Sequence, residues 1–329
     1  MTKARWLVTG AAGFIGSHLA ERMLGMGYLV RGLDNYSMGH RENVADALAS
    51  AEKKFPGASE NFEMIEGDVT DRALCERACA GAAAVFHLAA LASVPGSIEN
   101  PAESFRVNVQ GFVSVLEAAR MSGVRRVVYA SSSAVYGDSP SLPKIESDIG
   151  LPLSPYALTK WMDEEIAGLY VRLFGMECVG LRYFNVFGPR QDPMGAYAAV
   201  IPRWFDALTR GERPVIYGDG ETSRDFCYID NVVDANIRAA VSTEELAFGE
   251  SFNIACGERT TLNELFSVIR DTAGASPDLT PIYEDFRLGD VRHSLASAER
   301  AKKILGWAPE VDIREGLRRA AAWYLRETR

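Results

Sequence analysis

The sequence lacks long apolar runs and clusters of basic residues. No stretch approaches the roughly 18 apolar residues of a membrane-spanning helix. The first residues, MTKARWLVTG, enter a strand-like run without a charged leader followed by a long apolar segment. Acidic residues outnumber basic ones by 44 to 35, and the charges are scattered. We therefore expect a cytoplasmic protein without a membrane or nucleic-acid partner.

The sequence also has few cysteines. There are five in 329 residues, an odd number in a chain long enough to bury a core without disulfides. Cys75 and Cys79 lie one helical turn apart, but no nearby histidine or second cysteine pair completes a set of metal ligands. We expect these cysteines to act as small buried apolar residues, and we expect no metal site.

Short apolar runs alternate with longer segments of helical spacing through the first half of the chain. The runs are RWLVTG, YLVRGLD, FEMIEGDV, AAVFHLAA, RVVYASSS and CVGLRYFNV, and the helical segments include GSHLAERMLGMG, AESFRVNVQGFVSVLEAARMSG and PYALTKWMDEEIAGLYVRLFG. Strands that are apolar on both faces and alternate with helices predict an α/β fold. The pattern indicates a doubly wound parallel sheet of Rossmann type, covered by helices on both sides.

The pattern changes after about residue 184, where prolines and the stretch YGDGETSRD indicate loops between shorter elements. The sequence TLNE then predicts a helix start near Thr261, with an acid three positions on. The last third is thus expected to form a smaller α/β domain. We predict a dinucleotide-binding domain over residues 1–183, joined by 227–257, and a substrate-binding domain over residues 184–226 and 258–329.

A glycine-rich turn follows the first predicted strand, in VTGAAGFIGSHLAERM. Gly10, Gly13 and Gly16 have the spacing G-x-x-G-x-x-G, which differs from the commonest dinucleotide fingerprint. Residues without a Cβ let the backbone approach a pyrophosphate, which then lies at the positive end of a helix. We predict that these glycines, with Phe14 and Ile15, contact a dinucleotide.

Asp34 ends the second predicted strand, about twenty residues past the turn. A carboxylate there accepts hydrogen bonds from ribose hydroxyls and repels a 2′-phosphate, which favours NAD over NADP. Arg31 and Arg41 are nearby, but neither directly follows Asp34, and a turn-capping role for Asp34 is the structural alternative. The other predicted NAD contacts are Asn35, Asp68, Val69, Leu88, Ala89, Ala90, Asn108 and Tyr183. His87, just before three of them, is expected to be a core residue.

The stretch LSPYALTK places Tyr156 and Lys160 one turn apart on the same face of a predicted helix. A tyrosine hydroxyl has an unperturbed pKa of about 10 and is a poor base at neutral pH. A nearby ammonium favours the phenolate, and the pair then forms a general base for an alcohol that loses hydride. An aromatic that packs beside a solvated lysine is the alternative.

Three stretches, TGAAGFIG, YASSSAVYG and YALTK, resemble the extended short-chain dehydrogenase/reductase superfamily, and the resemblance covers essentially the whole chain. It implies that Ser132, Tyr156 and Lys160 are catalytic, with Lys160 also holding the nicotinamide ribose of NAD. Ser132 is preferred to its neighbours because it lies four residues before Tyr136, as the catalytic Ser or Thr of the superfamily does. Ser133 would then face the sugar of the substrate.

Within this superfamily the stretches LRYFNVFGPRQDPMGAYAAVIPRW, DGETSRDFCYIDNV and DFRLGDVRHS resemble those of the nucleotide-sugar epimerases. Dehydratases carry an acidic pair after the catalytic hydroxyl, where this chain has Ser133 and Ala134, so a dehydratase is disfavoured. Arg224 and Arg287 lie in these stretches. An arginine taken alone is more often a surface charge, but its guanidinium group also suits a diphosphate. The resemblance implies these substrate contacts: Ser93, Ser133, Asn185, Val200, Arg224, Arg287, Asp290 and Ser294.

Ser294 bears on the choice of sugar. In the UDP-glucose 4-epimerases, a tyrosine at the aligned position restricts the enzyme to plain hexoses, whereas a small residue admits an N-acetyl group. The chain looks closest to bacterial UDP-N-acetylglucosamine 4-epimerases, which interconvert UDP-GlcNAc and UDP-GalNAc. A 4-epimerase of UDP-glucose or of a UDP-hexuronic acid is the alternative, although uronate enzymes usually have threonine in place of Asn185. A non-catalytic NAD-binding regulator is less favoured.

The resemblance also implies a mechanism and an assembly. Tyr156, assisted by Ser132, takes the proton of the C4 hydroxyl while hydride passes from C4 to NAD. The resulting 4-keto sugar turns about its bond to the diphosphate and receives the hydride on its other face. A homodimer is expected through the long helices around residues 103–122 and 155–174.

Overall fold

The computed structural model describes residues 4–193, 199–286 and 292–327. The strands within these ranges are β1 (Arg5–Thr9), β2 (Leu29–Asp34), β3 (Phe62–Glu66), β4 (Ala82–His87), β5 (Arg126–Ser132), β6 (Glu177–Tyr183), β7 (Val186–Phe187), β8 (Val215–Tyr217), β9 (Ser223–Arg224), β10 (Cys227–Tyr228), β11 (Glu250–Ile254), β12 (Thr260–Thr261) and β13 (Ile282–Glu284).

Helices connect most of these strands. They are α1 (Phe14–Gly25), α2 (Arg41–Lys54), α3 (Arg72–Cys79), α4 (Val94–Glu99), α5 (Pro101–Phe105), α6 (Gly111–Met121), α7 (Pro155–Phe174), α8 (Val200–Thr209), α9 (Ile229–Val241), α10 (Leu262–Thr272), α11 (Glu299–Leu305) and α12 (Ile313–Glu327). A π-helical turn, Arg106–Gln110, joins α5 to α6, and Ser133–Tyr136 forms a 3-10 turn. In the described ranges, no helix combines the length and apolarity needed to cross a membrane.

Seven strands form one parallel sheet in the order β11-β6-β5-β4-β1-β2-β3. The register places Thr9 of β1 beside Leu33 on one side and His87 on the other. The strand order reverses between β1 and β4, and a crevice forms there at the carboxyl ends. The predicted doubly wound Rossmann-type fold is therefore confirmed.

Both faces of the sheet are buried, which explains the continuous apolar runs in the sequence. Leu7 and Val127 pack on one face, with α3 and α6, while their neighbours Val8 and Val128 pack on the other, with α1 and α9. Burial of apolar surface on both faces is the main source of stability for such a sheet. Cys75 lies in the first of these cores, fully buried as predicted.

Two strand ends differ from the sequence prediction. The third strand stops at Glu66, so Asp68 lies beyond it, where its carboxylate accepts the N–H of Thr70 at 2.9 Å. The apolar run over residues 178–186 divides into β6 and β7 because Asn185 has a φ of +33°, outside the β region. Strand β11 comes from segment 227–257 and pairs with β6, while the limits of the two domains stay a prediction.

A buried cluster ties α1 to the loop after β7. Arg190 is 6 % exposed and donates to His18 Nδ1 at 2.8 Å and to the carboxylate of Glu21. Burial, reinforced by the Arg190 charge, lowers the pKa of His18 to about 3. The neutral ring therefore donates from Nε2 to the carbonyl of Pro189, 2.8 Å away. The sequence patterns did not predict this connection.

His87 is the core residue that the sequence predicted. It is 1 % exposed, its Nδ1 lies 2.9 Å from Thr9 Oγ1, and its ring packs against Phe112. Burial, together with the positive charge of Lys160, lowers the pKa of His87 to about 3. Between that value and the ordinary value near 6.5, the unfolded chain binds a proton that the folded chain does not. Acidification through this window therefore disfavours the folded state.

We predict that His87→Asn makes the stability less sensitive to acid. Between pH 7.5 and 5.0 the wild type should lose about 2 kcal/mol more unfolding free energy than the variant, because only the wild type must keep this imidazole neutral. Urea unfolding at the two pH values measures the difference. Equal losses in both proteins would contradict the assignment of His87 as a buried neutral residue.

Candidate active site

The turn between β1 and α1 has no room for side chains. Gly10 has a φ of +70°, and a Cβ on it would lie 2.8 Å from the backbone nitrogen of Ala89. A Cβ on Gly16 would overlap the carbonyl oxygen of Gly10. The turn therefore closes against the end of β4, and the backbone N–H groups at the start of α1 are accessible to an anion.

Asp34 is fixed beside this turn by backbone donors. Its Oδ2 accepts the N–H of Ala12 at 2.9 Å, and its Oδ1 accepts the N–H of Tyr36 at 2.7 Å. Arg31 and Arg41 are each paired with a glutamate of β3, at 2.9 and 2.7 Å. Because both guanidinium charges are already compensated, the site favours unphosphorylated adenosine ribose over a 2′-phosphate.

A groove at the carboxyl ends of β1, β2 and β4 collects most of the predicted cofactor contacts. It is lined by Gly10, Gly13, Asp34, Asn35, Asp68, Val69, Leu88, Ala89 and Ala90. Phe14, Ile15 and Gly16 form the first turn of α1 beside it. Arg106, which the sequence did not single out, donates to Asp68 at 3.3 Å and to Thr70 at 2.7 Å and so orients the acid at this end of the groove.

The side chains of two predicted cofactor contacts form hydrogen bonds to other residues of the protein. The amide of Asn108 is fully buried, exchanges hydrogen bonds with the backbone of Leu91 and donates to Thr159 on α7 at 3.0 Å. The hydroxyl of Tyr183 lies 3.0 Å from Asn236 on α9. Asn108 therefore fixes the loop after β4 against α7. Direct contact of either residue with the cofactor stays a prediction.

These residues fit a dinucleotide. The closed glycine turn admits only backbone next to the groove, as a pyrophosphate requires. Asp34 lies where the adenosine ribose hydroxyls would bind, and small residues at the end of β4 leave space for the nicotinamide half. Helix α7 lies at the same edge of the sheet, where it contacts β5.

The start of α7 is held in place by two serines. Ser154 caps the helix by accepting the N–H of Ala157 at 3.1 Å, and Ser97 Oγ accepts the N–H of Tyr156 at 3.0 Å. The phenol of Tyr156 makes no hydrogen bond to any residue that the structure describes, and its side chain is 9 % exposed. Its hydroxyl is therefore positioned by the helix and available to a substrate.

Lys160 is almost completely buried one turn after Tyr156. Its ammonium donates to the carbonyl of Ala130 at 2.9 Å and to Asp163 Oδ2 at 3.2 Å. Asp163 is 1 % exposed, and the sequence prediction did not include it. An acid three residues after Lys160 was the available signal, but this spacing alone also occurs on ordinary solvated helix faces.

The three serines at the end of β5 have different roles. Ser131 Oγ is buried and donates to Glu164, which also binds Arg182 at 2.7 Å. Ser132 Oγ accepts the N–H of Ala134 at 3.1 Å and keeps its own proton for another acceptor. Ser133 begins the 3-10 turn and is partly exposed. The catalytic role of Ser132 and the substrate contact of Ser133 both stay predictions.

A cavity of about 690 Å³ adjoins β7 and α8, and it collects three predicted substrate contacts, Asn185, Val200 and Arg224. Asn185 is anchored because its Nδ2 donates to the carbonyl of Asp225 at 2.8 Å. The lining also includes Trp204 and Phe226, aromatic residues that the motif analysis did not select. The cavity thus combines cationic, amide and aromatic groups, a composition that suits a nucleoside diphosphate.

The other predicted substrate contacts are more dispersed. Ser294 donates its backbone N–H to Ser223 at 3.0 Å, directly beside Arg224, but it is not part of the cavity lining. Ser93 caps α4 by accepting the N–H of Gly96 at 3.0 Å. Arg287 and Asp290 lie outside the described residues. Within the described ranges, no group of three or more His, Cys, Asp or Glu residues is arranged to hold a metal ion.

A glycine turn, an acid at the end of β2, and a tyrosine and lysine on α7 together define an NAD-dependent enzyme of the short-chain dehydrogenase/reductase class. Residues 6–255 match the NAD dependent epimerase/dehydratase family, and the chain belongs to this family. NAD is its cofactor.

Relatives align over nearly the full length of the chain. The UDP-glucose 4-epimerase of Mycolicibacterium smegmatis is 40 % identical, covering 97 % of this chain and 98 % of its own. The UDP-glucuronate 4-epimerase of Thermodesulfobacterium geofontis is 34 % identical, covering 97 % and 95 %. The structure of the UDP-N-acetylglucosamine 4-epimerase of Methanobrevibacter ruminantium M1, in complex with UDP-N-acetylmuramic acid, is 38 % identical, with a TM-score of 0.90 and coverage of 99 % and 100 %.

We predict that Gly16→Ala weakens NAD binding, because the new Cβ would overlap a backbone carbonyl of the turn. Isothermal titration with NAD should show binding at least about tenfold weaker, equivalent to about 1.4 kcal/mol. Gly25→Ala on the same helix is the matched control, since its Cβ would meet only the flexible side chain of Lys54 at 3.3 Å. Unchanged affinity in Gly16→Ala would contradict the close packing of the turn.

Proposed function

We propose that the chain is a UDP-N-acetylglucosamine 4-epimerase that interconverts UDP-GlcNAc and UDP-GalNAc. The observation that carries the proposal is that the helix of Tyr156 and the buried Lys160 is joined to the NAD groove through Asn108, while Asn185 and Arg224 line a second cavity that begins after β6. One half of the site suits a reversible oxidation, and the other suits a nucleoside diphosphate. A nucleotide-sugar 4-epimerase needs both.

In this mechanism Tyr156 accepts the proton of the C4 hydroxyl and later returns it. The cation of Lys160 favours the phenolate of Tyr156, and Ser132 donates a hydrogen bond to the reacting oxygen. NAD, when bound, supplies a reversible hydride acceptor. Since the proton and the hydride both return to the sugar, the reaction has no net redox change.

Inversion at C4 requires the 4-keto sugar to present its other face. The nucleotide must then stay bound while the sugar turns about its bond to the diphosphate. Arg224 and Asn185 are suited to hold the diphosphate, because a guanidinium and an anchored amide offer several directed donors. Strong binding at the nucleotide and weak binding at the sugar allow the turn.

The small side chain of Ser294 supports the N-acetylated sugar. It also leaves UDP-glucose as the nearest alternative. A UDP-hexuronic acid is less favoured, because two polar side chains next to Ser294, Arg292 and His293, already have partners among the described residues. Arg292 pairs with Asp219 at 2.7 Å, and His293 Nδ1 lies 2.9 Å from Ser223 Oγ. An acidic sugar would have to displace one of these partners.

A homodimer through α6 and α7 is part of the same proposal. Several apolar side chains on these helices are exposed, among them Leu169, Leu173 and Met121, with Leu173 63 % exposed. Leu169 and Leu173 are four residues apart and share one helix face. A second copy would cover a patch that is unusually apolar for a monomer surface.

We expect proton NMR to detect conversion of UDP-N-acetylglucosamine to its galacto epimer by the purified protein. Parallel assays with UDP-glucose and UDP-glucuronate rank the sugars, and each is run with and without added NAD. Faster turnover of UDP-glucose would favour the plain-hexose alternative. Absence of epimerisation with all three sugars would overturn the proposed activity. Tyr156→Phe serves as the catalytic control and should lower kcat by at least about a hundredfold, since it removes the proton acceptor.

We predict that Leu173→Glu separates the dimer. A charge at the centre of an apolar contact loses hydration without a partner, so association should weaken. Size-exclusion chromatography with light scattering measures the mass across a concentration series. Met26→Glu is the control, because Met26 is 52 % exposed and follows α1, which packs on the opposite face of the sheet from α6 and α7. A monomeric wild type, or two variants with the same mass, would contradict this interface.

A further inference from the structure

The carboxyl group of Asp163 is buried beside the lysine of the proposed catalytic pair. It is 1 % exposed, and its Oδ2 lies 3.2 Å from Lys160 Nζ. Its Oδ1 is buried and has no hydrogen-bond partner among the described residues. An acid that is buried with one oxygen unsatisfied is costly for the fold.

Nothing else in the described structure depends on the Asp163 side chain. It caps no helix and accepts no backbone N–H, and its one hydrogen bond is the bond to Lys160. Lys160 has another acceptor in the carbonyl of Ala130, at 2.9 Å. A buried acid whose one bond is to a proposed catalytic cation is better explained by its effect on that cation than by stability.

Three other ionisable groups around Asp163 are either kept neutral by burial or held in an ion pair. His87 on β4 is kept neutral by burial, which lowers its pKa to about 3. Glu164 on α7 is paired with Arg182 on β6 at 2.7 Å. Burial raises the pKa of Tyr129 on β5 well above its ordinary value, so this phenol stays neutral. Asp163 is therefore the group near Lys160 whose charge can change around neutral pH.

We propose that Asp163 is a positioning residue that holds the ammonium of Lys160 and, through its own charge, sets the pH at which Tyr156 becomes a base. The inference rests on the proposed roles of Tyr156 and Lys160. An ionised Asp163 partly cancels the field of Lys160 at the phenol and so disfavours the phenolate. A protonated Asp163 leaves that field uncompensated.

The electrostatics of the pair agree with this role. Burial raises the pKa of Asp163 to about 7, although the Lys160 ammonium acts in the opposite direction. The carboxyl group therefore changes charge in the pH range in which a catalytic base must work. Because the two ionisations oppose each other, the phenol should titrate over a broader range than a single isolated group.

The test is a spectroscopic titration of Tyr156 with saturating NAD. The chain has twelve tyrosines, so the signal of one phenol is isolated by subtraction at 295 nm. Wild type is paired with Tyr156→Phe, and Asp163→Asn is paired with the double variant Asp163→Asn/Tyr156→Phe. In Asp163→Asn the midpoint should move to lower pH by at least about half a unit, because the variant keeps an acceptor for Lys160 and loses the charge. The curve should also narrow to that of a single proton.

Asp163→Ser provides a second variant with the same expected direction, and thermal unfolding and circular dichroism verify that each variant is folded. Glu60→Gln is the charge control, because Glu60 is exposed on a distant 3-10 turn and its loss removes the same charge from the surface. Steady-state rates with UDP-N-acetylglucosamine should show the acid limb of kcat shifted in parallel. A purely structural role for Asp163 would lower stability and leave the midpoint in place.

The outcomes separate this inference from the proposed function. A midpoint that is the same in wild type and in either folded Asp163 variant overturns the role of Asp163, whatever the enzyme does with UDP-sugars. A shifted midpoint in a protein that epimerises none of the three sugars supports the role of Asp163 and overturns the proposed reaction. If Asp163→Asn and Glu60→Gln shift the midpoint equally, the effect is one of net charge and the inference fails.

Discussion

The geometry of the proposed active site depends most on the burial of one ammonium group at the edge of the parallel sheet. Lys160 can lose its water only because the end of β5 offers the carbonyl of Ala130 and the next turn of α7 offers Asp163. The bond to Ala130 fixes α7 against the end of β5, since Asp163 lies on α7 itself. The fixed helix in turn places Tyr156 beside the crevice where the strand order reverses. The position of the proposed acid–base pair is thus a consequence of how a charged side chain is accommodated in an apolar fold.

The same edge of the sheet explains the position of the cofactor groove. The carboxyl ends of parallel strands all lie at one edge of the sheet. The turn after β1, Asp34 at the end of β2 and the small residues after β4 therefore meet at this edge. Asn108 adds a fixed link, because its amide bonds the loop at Leu91 and Thr159 of α7 at once. A displacement of α7 would therefore alter both the nicotinamide end of the groove and the position of Tyr156.

The sequence predicted the parts of this arrangement that are local. The alternation of apolar runs and helical segments was enough for the sheet, and Thr261 with its acid three positions on does form a capping box. The features that the sequence did not predict depend on contacts between residues that are distant in the chain. Nothing near Arg190 indicates that it would reach His18, 172 positions away in the chain, and nothing in KWMD distinguishes a buried Asp163 from a solvated one. The end of β6 needed the positive φ of Asn185, which is a property of the backbone rather than of the apolar pattern.

The connection through Arg190 also bears on how the two half-sites act together. Helix α1 carries the glycine turn, and the loop after β7 follows Asn185 by only a few residues. The cluster of His18, Glu21 and Arg190 joins these two segments through hydrogen bonds that are nearly inaccessible to water. In the proposed mechanism the sugar turns between two orientations while the nucleotide stays bound. The joint at Arg190 would hold the proposed diphosphate residue Asn185 in a fixed position relative to the glycine turn, so that loose binding of the sugar is compatible with an ordered reaction.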